Sequence, residues 1–486
     1  MEMVFNSIPF IMLFPLAALI FYLVPVKFRY IWLLLLSYAF YFAGAGTFVI
    51  LLAAYSIITY IAAHAVSVAD QKKLRKALLA LFAVISVLLL FVFKYLDFTL
   101  SLVGSPLRFS LVMPLGISFF TFTAVSYIAD VYHRRIEPEA NILKLALYLS
   151  FFPSILSGPI NRAGDLIPQF SGEKFPSLEN IKTGMQKMLW GYFLKLAVAG
   201  RLAIAVDNVY SDPGSHSGFS VAFAAAAYLF MLYCDFEGYS QIAVGCSSIL
   251  GIKLKENFRQ PFFSLSMSEI WRRWHVSLSS WFRDYIYIPL GGSRRGVVRK
   301  YVNIFIVLAI SGIWHGANMT FVIWGVLNGI FIIAGQMLLP YRERATAKLK
   351  NRICRTGKGM VIFDAVRNTL RRVGVYMLSA LTFVFFANDS VSSAISAVSA
   401  VFRRFSFSDA GDLTSVGLGR FNLCLALFMA VFVLASDLAA YRRDTDTPSL
   451  IKRIPAVWRW IIYYALITAV LFSANLTGRE FIYSKM

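Results

Sequence analysis

The sequence predicts an all-α, polytopic integral membrane protein, and two observations carry that prediction. Of its 486 residues, 58% are hydrophobic and only 15% are charged, and the mean hydropathy is +0.67. Soluble domains are about one quarter charged, so a soluble fold is excluded. The second observation is that apolar runs long enough to cross a bilayer recur from one end of the chain to the other.

The positive charge follows the expected membrane topology. The formal net charge is +22, and Lys and Arg cluster at the ends of apolar runs, where the positive-inside rule places cytoplasmic loops. This distribution puts the N-terminus and the tail at 475–486 outside, and it explains the charge without a nucleic-acid partner. The basic clusters lie at 27–29, 72–76, 133–135, 253–259, 294–300, 341–372 and 441–453.

The apolar runs predict about eleven to twelve crossings and a single transmembrane domain over residues 1–486. The run at 143–160 holds two prolines and a glycine, so we expect it to enter and leave the bilayer on one side, and 238–251 to do likewise. The basic stretch 341–372 is expected to form amphipathic surface helices. The candidate spans are 8–24, 30–45, 47–66, 77–95, 111–132, 184–206, 219–236, 301–315, 318–338, 374–388, 420–440 and 457–474.

His315 is the first candidate functional residue. It ends a run that begins at the basic loop near Tyr301, and fourteen residues of helix rise about 21 Å, which carries it past the midplane. Gly312 and Gly316 allow close backbone approach, and Asn318 offers a hydrogen-bond partner. An ionisable group at this depth indicates function, although a core histidine satisfied by a neighbour is the alternative.

His275 is the second candidate, and a direct chemical role and a purely orienting role both stay open for it. Trp271, Trp274, His275, Leu278 and Phe282 have the spacing of one helix face. The segment is too polar to span and is rich in Trp and Tyr, as membrane-interface helices are. It therefore predicts a helix at the cytoplasmic surface with His275 facing inward.

The chemistry available to such histidines is general-base catalysis on a hydroxyl group. The sequence has no G-x-S-x-G, H-E-x-x-H or Walker motif, and its five histidines lack metal-ligand spacing, so we expect neither a metal nor a bound cofactor. A histidine deep between two compartments suggests group transfer inside a membrane.

Several long motifs resemble the membrane-bound O-acyltransferase family, in particular the membrane subunits of bacterial alginate and cell-envelope polysaccharide O-acetyltransferases. They are WRRWHVSLSSWFRDYIYIPLGG and SGIWHGANMTFVIWG, preceded in order by PLGISFFTFTAVSYIADVYHRR, FFPSILSGPINR and YLFMLYCDFEGYSQIAVG. The resemblance implies a ring of helices around a thinned centre that a tunnel crosses. It implies His315 as catalytic base at the neck and His275 nearer the cytoplasmic mouth. Candidate tunnel or substrate residues are Asp235, Glu237, Tyr239, Trp271, Arg272, Arg273, Trp274, Arg283, Trp314 and Asn318.

The chain departs from the family pattern at two positions. In CDFEGYSQ the family usually has Ser where Glu237 stands and Asp where Gln241 stands. The exchange either changes the polarity of the tunnel or the choice of acceptor, or it only replaces one hydrogen-bonding group by another. The tail GREFIYSKM resembles a C-terminal Phe-x-Tyr-x-x-Phe motif in which the tyrosine, here Tyr483, is proposed to carry the acyl group. Its alternative is an interfacial anchor.

The resemblance implies transfer of an acetyl group from cytoplasmic acetyl-CoA to an extracytoplasmic polysaccharide, in the cytoplasmic membrane of a bacterium. Arg272, Arg273 and Arg283, with Arg294 and Arg295, are candidates to meet the donor's phosphates, and Asn318 or a backbone amide to stabilise the oxyanion. Expected partners are membrane lipid, the acyl donor and a separate serine-hydrolase-like acetyltransferase. D-alanyl transfer to teichoic acid from a carrier protein and transport of an intact envelope substrate remain alternatives.

Overall fold

A computed structural model describes residues 5–172, 177–353 and 357–473, and these residues form helices and connecting segments without a β-strand. Eight of their helical stretches are long and apolar enough to cross a membrane, and three of these, Val26–Val68, Lys72–Leu102 and Leu178–Ser211, each contain two α-helices. Shorter apolar helices lie at Ile8–Leu23, Ile117–Tyr132, Val391–Arg403 and Ala456–Phe472. The prediction of an all-α, polytopic membrane protein is confirmed.

The chain divides into two compact units, each described here by itself. The first unit comprises the described residues up to Ala197, Asp235–Glu256 and the described residues from Ile451 onward. The prediction of one domain over residues 1–486 stays a prediction. Helices of the first unit are Ile8–Leu23, Arg29–Ala45, Val49–Val68, Lys72–Leu90, Leu96–Leu102, Ile117–Tyr132, Ile142–Ser150, Phe152–Ile155, Ala163–Leu166, Leu178–Tyr192 and Ala456–Ser473.

The second unit comprises Val198–Cys234 and Asn257–Leu450 and contains both candidate histidines. Two α-helices, Gly218–Ile249 and Thr447–Lys452, and the π-helical segment Phe193–Ala199 contribute residues to both units. The other helices of the second unit are Gly200–Ser211, Met267–Arg273, Val276–Phe282, Val297–His315, Met319–Met337, Leu339–Ile353, Gly357–Ala387, Val391–Arg403 and Arg420–Arg442.

The prediction that 238–251 re-enters the bilayer is wrong, because these residues continue the unbroken helix Gly218–Ile249. Its glycines serve close packing instead of a chain break. A Cβ on Gly238 would lie 2.7 Å from the Gly191 carbonyl oxygen, and one on Gly245 would lie 2.6 Å from that of Gly184. Within the first unit, this part of the helix therefore packs backbone to backbone against Leu178–Tyr192.

In two other irregular regions the structure agrees better with the prediction from sequence. The run at 143–160 is interrupted, as expected, because Ile142–Ser150 ends before Pro153 and only the single turn Phe152–Ile155 follows. In the basic stretch, Leu339–Ile353 is a helix without a buried residue, as a surface helix would be. The rest of that stretch belongs to Gly357–Ala387, which continues into a candidate span.

Candidate active site

His315 lies at the turn of a helical hairpin in the second unit. It is the last residue of the helix Val297–His315, here called the histidine helix, and Met319–Met337, the return helix, begins four residues later. Asn318 caps the return helix, because its Oδ1 accepts a hydrogen bond of 3.0 Å from the Thr320 N–H. Asn318 Nδ2 donates to the Asp389 carbonyl oxygen at 2.7 Å, so both polar atoms of this side chain fix the hairpin turn.

Glycines bring the two helices of the hairpin into backbone contact. A Cβ on Gly312 would lie 2.4 Å from the Phe321 carbonyl oxygen, and one on Gly316 would lie 2.2 Å from the Phe321 ring. On the return helix, a Cβ on Gly325 would lie 2.3 Å from the Leu308 carbonyl oxygen. These distances leave no room for a larger residue, so the glycines around His315 fix its position between the helices.

The imidazole of His315 is 3% exposed and is enclosed by aromatic rings. We call these three rings, of Trp314, Trp324 and Phe386, the aromatic cage. Their centroids lie 5.0, 5.0 and 5.2 Å from the imidazole, and all three contacts are edge-to-face. The expected burial of His315 is therefore present, and three aromatic rings contact its imidazole. An ionisable group in so apolar a setting is a functional-site candidate.

The Trp-rich segment before His275 reaches the same cage. The Trp271 ring lies 5.4 Å from that of Trp324, and Phe383 lies 5.4 Å from Trp324 and 5.5 Å from Trp274. Predicted residues Trp271 and Trp274 thus connect to His315 through Trp324 and Phe383. Sequence reasoning missed these two linking residues, although Trp324 is the next-to-last residue of the quoted motif that contains His315.

The prediction of one continuous helix through His275 is wrong. The helix Met267–Arg273 ends at Trp274, His275 adopts the left-handed conformation at φ 44°, and Val276–Phe282 begins after it. The cause is a backbone pairing with a preceding segment: Val276 N–H donates to the Asn257 carbonyl at 2.8 Å, and Arg259 N–H donates to the Arg273 carbonyl at 2.9 Å. Burial of Trp274, His275, Leu278 and Phe282 nevertheless follows the expected inward face.

His275 is held by Asn257. Its Nδ1 lies 3.1 Å from Asn257 Oδ1, which also accepts from the Ser277 N–H at 3.3 Å and the Ser277 hydroxyl at 2.8 Å. Since Oδ1 is an acceptor, the His275 proton is on Nδ1. Burial lowers the pKa of the His275 imidazole from its ordinary 6.5 to about 3, so the ring is neutral near pH 7. These contacts suit an orienting residue.

The predicted arginines have different surroundings. Arg273 Nε pairs with Glu269 Oε1 at 2.9 Å, and its guanidinium lies 4.9 Å from the centre of the Tyr441 ring. Arg283 pairs with Asp284 at 2.8 Å while remaining exposed. Arg272 is exposed and forms no ion pair with any residue that the structure describes. Of the three arginines, Arg272 is therefore the one whose charge is not paired with a carboxylate of the described chain.

Asp235, Glu237 and Tyr239 lie in the first unit, and all three are buried. Asp235 forms an ion pair with Lys195. Glu237 Oε1 accepts a hydrogen bond of 2.7 Å from Gln241 Nε2, and the Tyr239 ring lies 4.8 Å from that of Phe5. The predicted acyl-carrier Tyr483 lies outside the described residues, as does the whole tail at 475–486. Among the residues described, no group of three His, Cys, Asp or Glu side chains could hold a metal ion.

Comparison with known proteins gives a consistent set of relatives. Residues 33–363 match the model of the membrane-bound O-acyltransferase family, MBOAT. The chain is 31% identical to the probable alginate O-acetylase AlgI of Pseudomonas aeruginosa, over 88% of this chain and 81% of that one. It is 36% identical to the protein of the same name from Pseudomonas putida, over 68% and 70%. It is 33% identical to a peptidoglycan O-acetyltransferase of Helicobacter pylori, over 62% and 63%.

Proposed function

The chain belongs to the membrane-bound O-acyltransferase family, and from that premise we propose that it takes an acetyl group from acetyl-CoA on the cytoplasmic side for O-acetylation of an extracytoplasmic polysaccharide. Two relatives support the choice of group and acceptor, since they are named for O-acetylation of alginate and of peptidoglycan. In this proposal the protein resides in the cytoplasmic membrane of a bacterium, surrounded by lipid, and CoA stays inside.

The observation that carries the proposal is the placement of His315. It ends the histidine helix at the hairpin turn, 3% exposed inside the aromatic cage, where glycines hold two helix backbones together. A purely structural histidine would not need this position, since apolar residues pack such a site at lower cost. A general base, in contrast, benefits from a fixed, water-poor setting close to the reacting atoms.

The proposed reaction conserves atoms and charge. His315 accepts the proton of the acceptor hydroxyl while the oxygen attacks the thioester carbonyl carbon, which gives a tetrahedral oxyanion. When the oxyanion collapses, the carbon–sulfur bond breaks, and the proton passes from His315 to the thiolate of CoA. The acceptor is either a sugar hydroxyl or the phenol of Tyr483, whose ordinary pKa of about 10 makes such a base necessary.

Other parts of the proposal concern the donor and a partner. Arg272 is the candidate contact for the donor's phosphates, because it is exposed and has no competing carboxylate in the described chain. His275 orients the Trp-rich segment that supports the cage, through its hydrogen bond to Asn257. A separate serine-hydrolase-like acetyltransferase completes transfer to the polysaccharide outside the cell.

The test measures acetyl transfer in membranes that contain the full chain, with labelled acetyl-CoA and no carrier protein. We expect label in extracytoplasmic polymer, and His315→Gln should lower its rate by at least about 100-fold. The matched control is His64→Gln, since His64 Nδ1 lies 3.0 Å from the Tyr60 carbonyl oxygen within another helix. Activity that depends on an aminoacyl carrier would favour D-alanyl transfer, and activity that survives His315→Gln without thioester consumption would favour transport.

A further inference from the structure

Polar atoms without partners occupy one face of the return helix, beside the aromatic cage. Trp324 Nε1 and Thr320 Oγ1 belong to side chains that are each 1% exposed, and neither atom has a hydrogen-bond partner in the described parts of the chain. The two residues are four positions apart, so they lie on the same side of the helix, one turn from each other. Trp324 brings this face against His315, with ring centroids 5.0 Å apart.

Several other threonines and one tryptophan of the described chain do have hydrogen-bond partners. Hydroxyls of Thr59, Thr121 and Thr123 each donate to the carbonyl four residues earlier, at 2.6 to 2.9 Å. The indole N–H of Trp32 donates to the Ala17 carbonyl at 3.1 Å. Thr320 cannot form the corresponding hydrogen bond to the carbonyl four residues earlier, because that residue, Gly316, lies before the return helix begins.

A buried donor left without an acceptor lowers stability, and native proteins keep few of them. Trp324 and Thr320 are two such groups on one helix face, and Trp271 Nε1, whose ring lies 5.4 Å from Trp324, is a third. Groups of this kind, next to a ring that contacts a candidate general base, fit a site that receives the polar atom of a bound substrate.

We propose that Trp324 Nε1–H and Thr320 Oγ1–H donate hydrogen bonds to the carbonyl oxygen of the thioester, and so form the oxyanion hole of the reaction. The inference rests on the proposed acetyl transfer. As the hydroxyl attacks, the carbonyl oxygen gains the negative charge that these two donors stabilise, while His315 holds the proton. Asn318, the sequence-based candidate for this role, is instead committed to the Thr320 N–H and the Asp389 carbonyl.

Trp324→Phe tests the proposal, because it removes the N–H and keeps an aromatic ring in the cage. We expect kcat to fall about 100-fold or more, with the KM for acetyl-CoA changed by less than about threefold. The melting temperature of the purified protein should stay the same or rise, since an unsatisfied buried donor has been removed. Thr320→Val should lower kcat, and Thr320→Ser should restore it. Trp32→Phe, which loses a paired indole N–H, is the control and should leave kcat unchanged.

Two results would overturn the inference. The first is a Trp324→Phe enzyme whose kcat stays within about threefold of the wild type. The second is a parallel fall of kcat and melting temperature, which would make Trp324 a packing residue. Either result, together with activity lost in His315→Gln, would leave the proposed acetyl transfer intact. Activity retained in His315→Gln would instead contradict the proposed function itself.

Discussion

Gln241 Nε2 donates a hydrogen bond of 2.7 Å to Oε1 of Glu237, one helical turn earlier on Gly218–Ile249. The same nitrogen lies 3.1 Å from Oε2 of Glu256, whose other oxygen accepts from Lys187 Nζ at 2.6 Å. Glu237 and Gln241 are the two positions at which the chain departs from the usual family pattern. The departures are therefore coupled, because one residue supplies the acceptor and the other the donor of a single hydrogen bond.

Gln241→Asp, which restores the usual family residue alone, should destabilise the protein. It removes the amide donor and places a third carboxylate beside Glu237 and Glu256. Glu237 and Gln241 are 7% and 2% exposed, so solvent would screen the new repulsion little. We expect a loss of about 3 kcal/mol in the free energy of unfolding, measured by denaturation of the purified protein in detergent.

The double variant Glu237→Ser with Gln241→Asp is the matched control for this prediction. It removes the repulsion from Glu237, leaves that from Glu256, and gives the new aspartate a hydroxyl in place of one carboxylate, so it should recover part of the lost stability. A double-mutant cycle measures this coupling directly. Independent, additive effects of the two substitutions would contradict the coupling between Glu237 and Gln241.

His275 should make the stability of the protein depend on pH. Its pKa is about 3 in the folded protein and 6.5 as a free side chain, so below pH 6.5 the unfolded chain binds a proton that the folded protein does not. Stability should therefore fall as the pH drops from 6.5 toward 3, by about 2 kcal/mol at pH 5. Thermal unfolding between pH 8 and pH 5 measures this change.

In His275→Gln this part of the pH dependence should disappear, since glutamine does not titrate, while His64→Gln should retain it. A His275→Gln protein with the wild-type pH profile would show that another group titrates. A fall in acetyl transfer in His275→Gln should accompany lost stability, as expected of a positioning residue whose imidazole is held by Asn257.

The spans were predictable from sequence because length and hydrophobicity determine them. The run 301–315 appears as Val297–His315, and 318–338 as Met319–Met337. Burial of His315 and close packing at Gly312 followed from the same patterns. The break at His275 could not be predicted, because the apolar spacing fits one helix and the backbone pairing with Asn257 and Arg259 is a tertiary contact.

Glycine was the least reliable signal in the sequence. Gly238 and Gly245 suggested a re-entrant segment, yet they lie within one helix and face Gly191 and Gly184. A glycine that breaks a helix and one that admits a neighbouring backbone look alike in a single sequence. The partnerless donors of Trp324 and Thr320 were equally invisible, because satisfaction of a polar atom depends on its three-dimensional neighbours.

Two glycines of the return helix should respond to alanine in opposite directions. In Gly325→Ala the new Cβ would lie 2.3 Å from the Leu308 carbonyl oxygen and 3.1 Å from Gly312 Cα, so the hairpin must open. We expect a loss of about 1–3 kcal/mol of unfolding free energy, together with reduced acetyl transfer as His315 moves. In Gly335→Ala the new Cβ would have no atom within 4 Å. Its free energy of unfolding should rise by up to about 1 kcal/mol, because alanine has the higher helix propensity. Equal effects of the two substitutions would contradict the close packing of the hairpin.

Substitutions of the adjacent Arg272 and Arg273 should distinguish a role in binding the donor from a role in stabilising the fold. Arg273 is bound to Glu269 and stacked on Tyr441, whereas Arg272 is exposed and has no ion-pair partner in the described chain. Arg272→Gln should raise the KM for acetyl-CoA about tenfold with little change in kcat, because it removes a charge-assisted contact made equally in ground state and transition state. Steady-state kinetics at several salt concentrations measure this effect, which should shrink as salt screens the exposed charge.

Arg273→Gln is the matched control, since it deletes the same charge one residue away. It should lower the melting temperature through loss of the Glu269 and Tyr441 contacts, while the KM for acetyl-CoA changes less than in Arg272→Gln. The reverse pattern, in which only Arg273→Gln raises the KM for acetyl-CoA, would contradict the assignment of the phosphate contact to Arg272. Because the two variants carry the same net charge, a general electrostatic attraction of the donor to the basic surface would affect both equally, and only a specific contact can separate them.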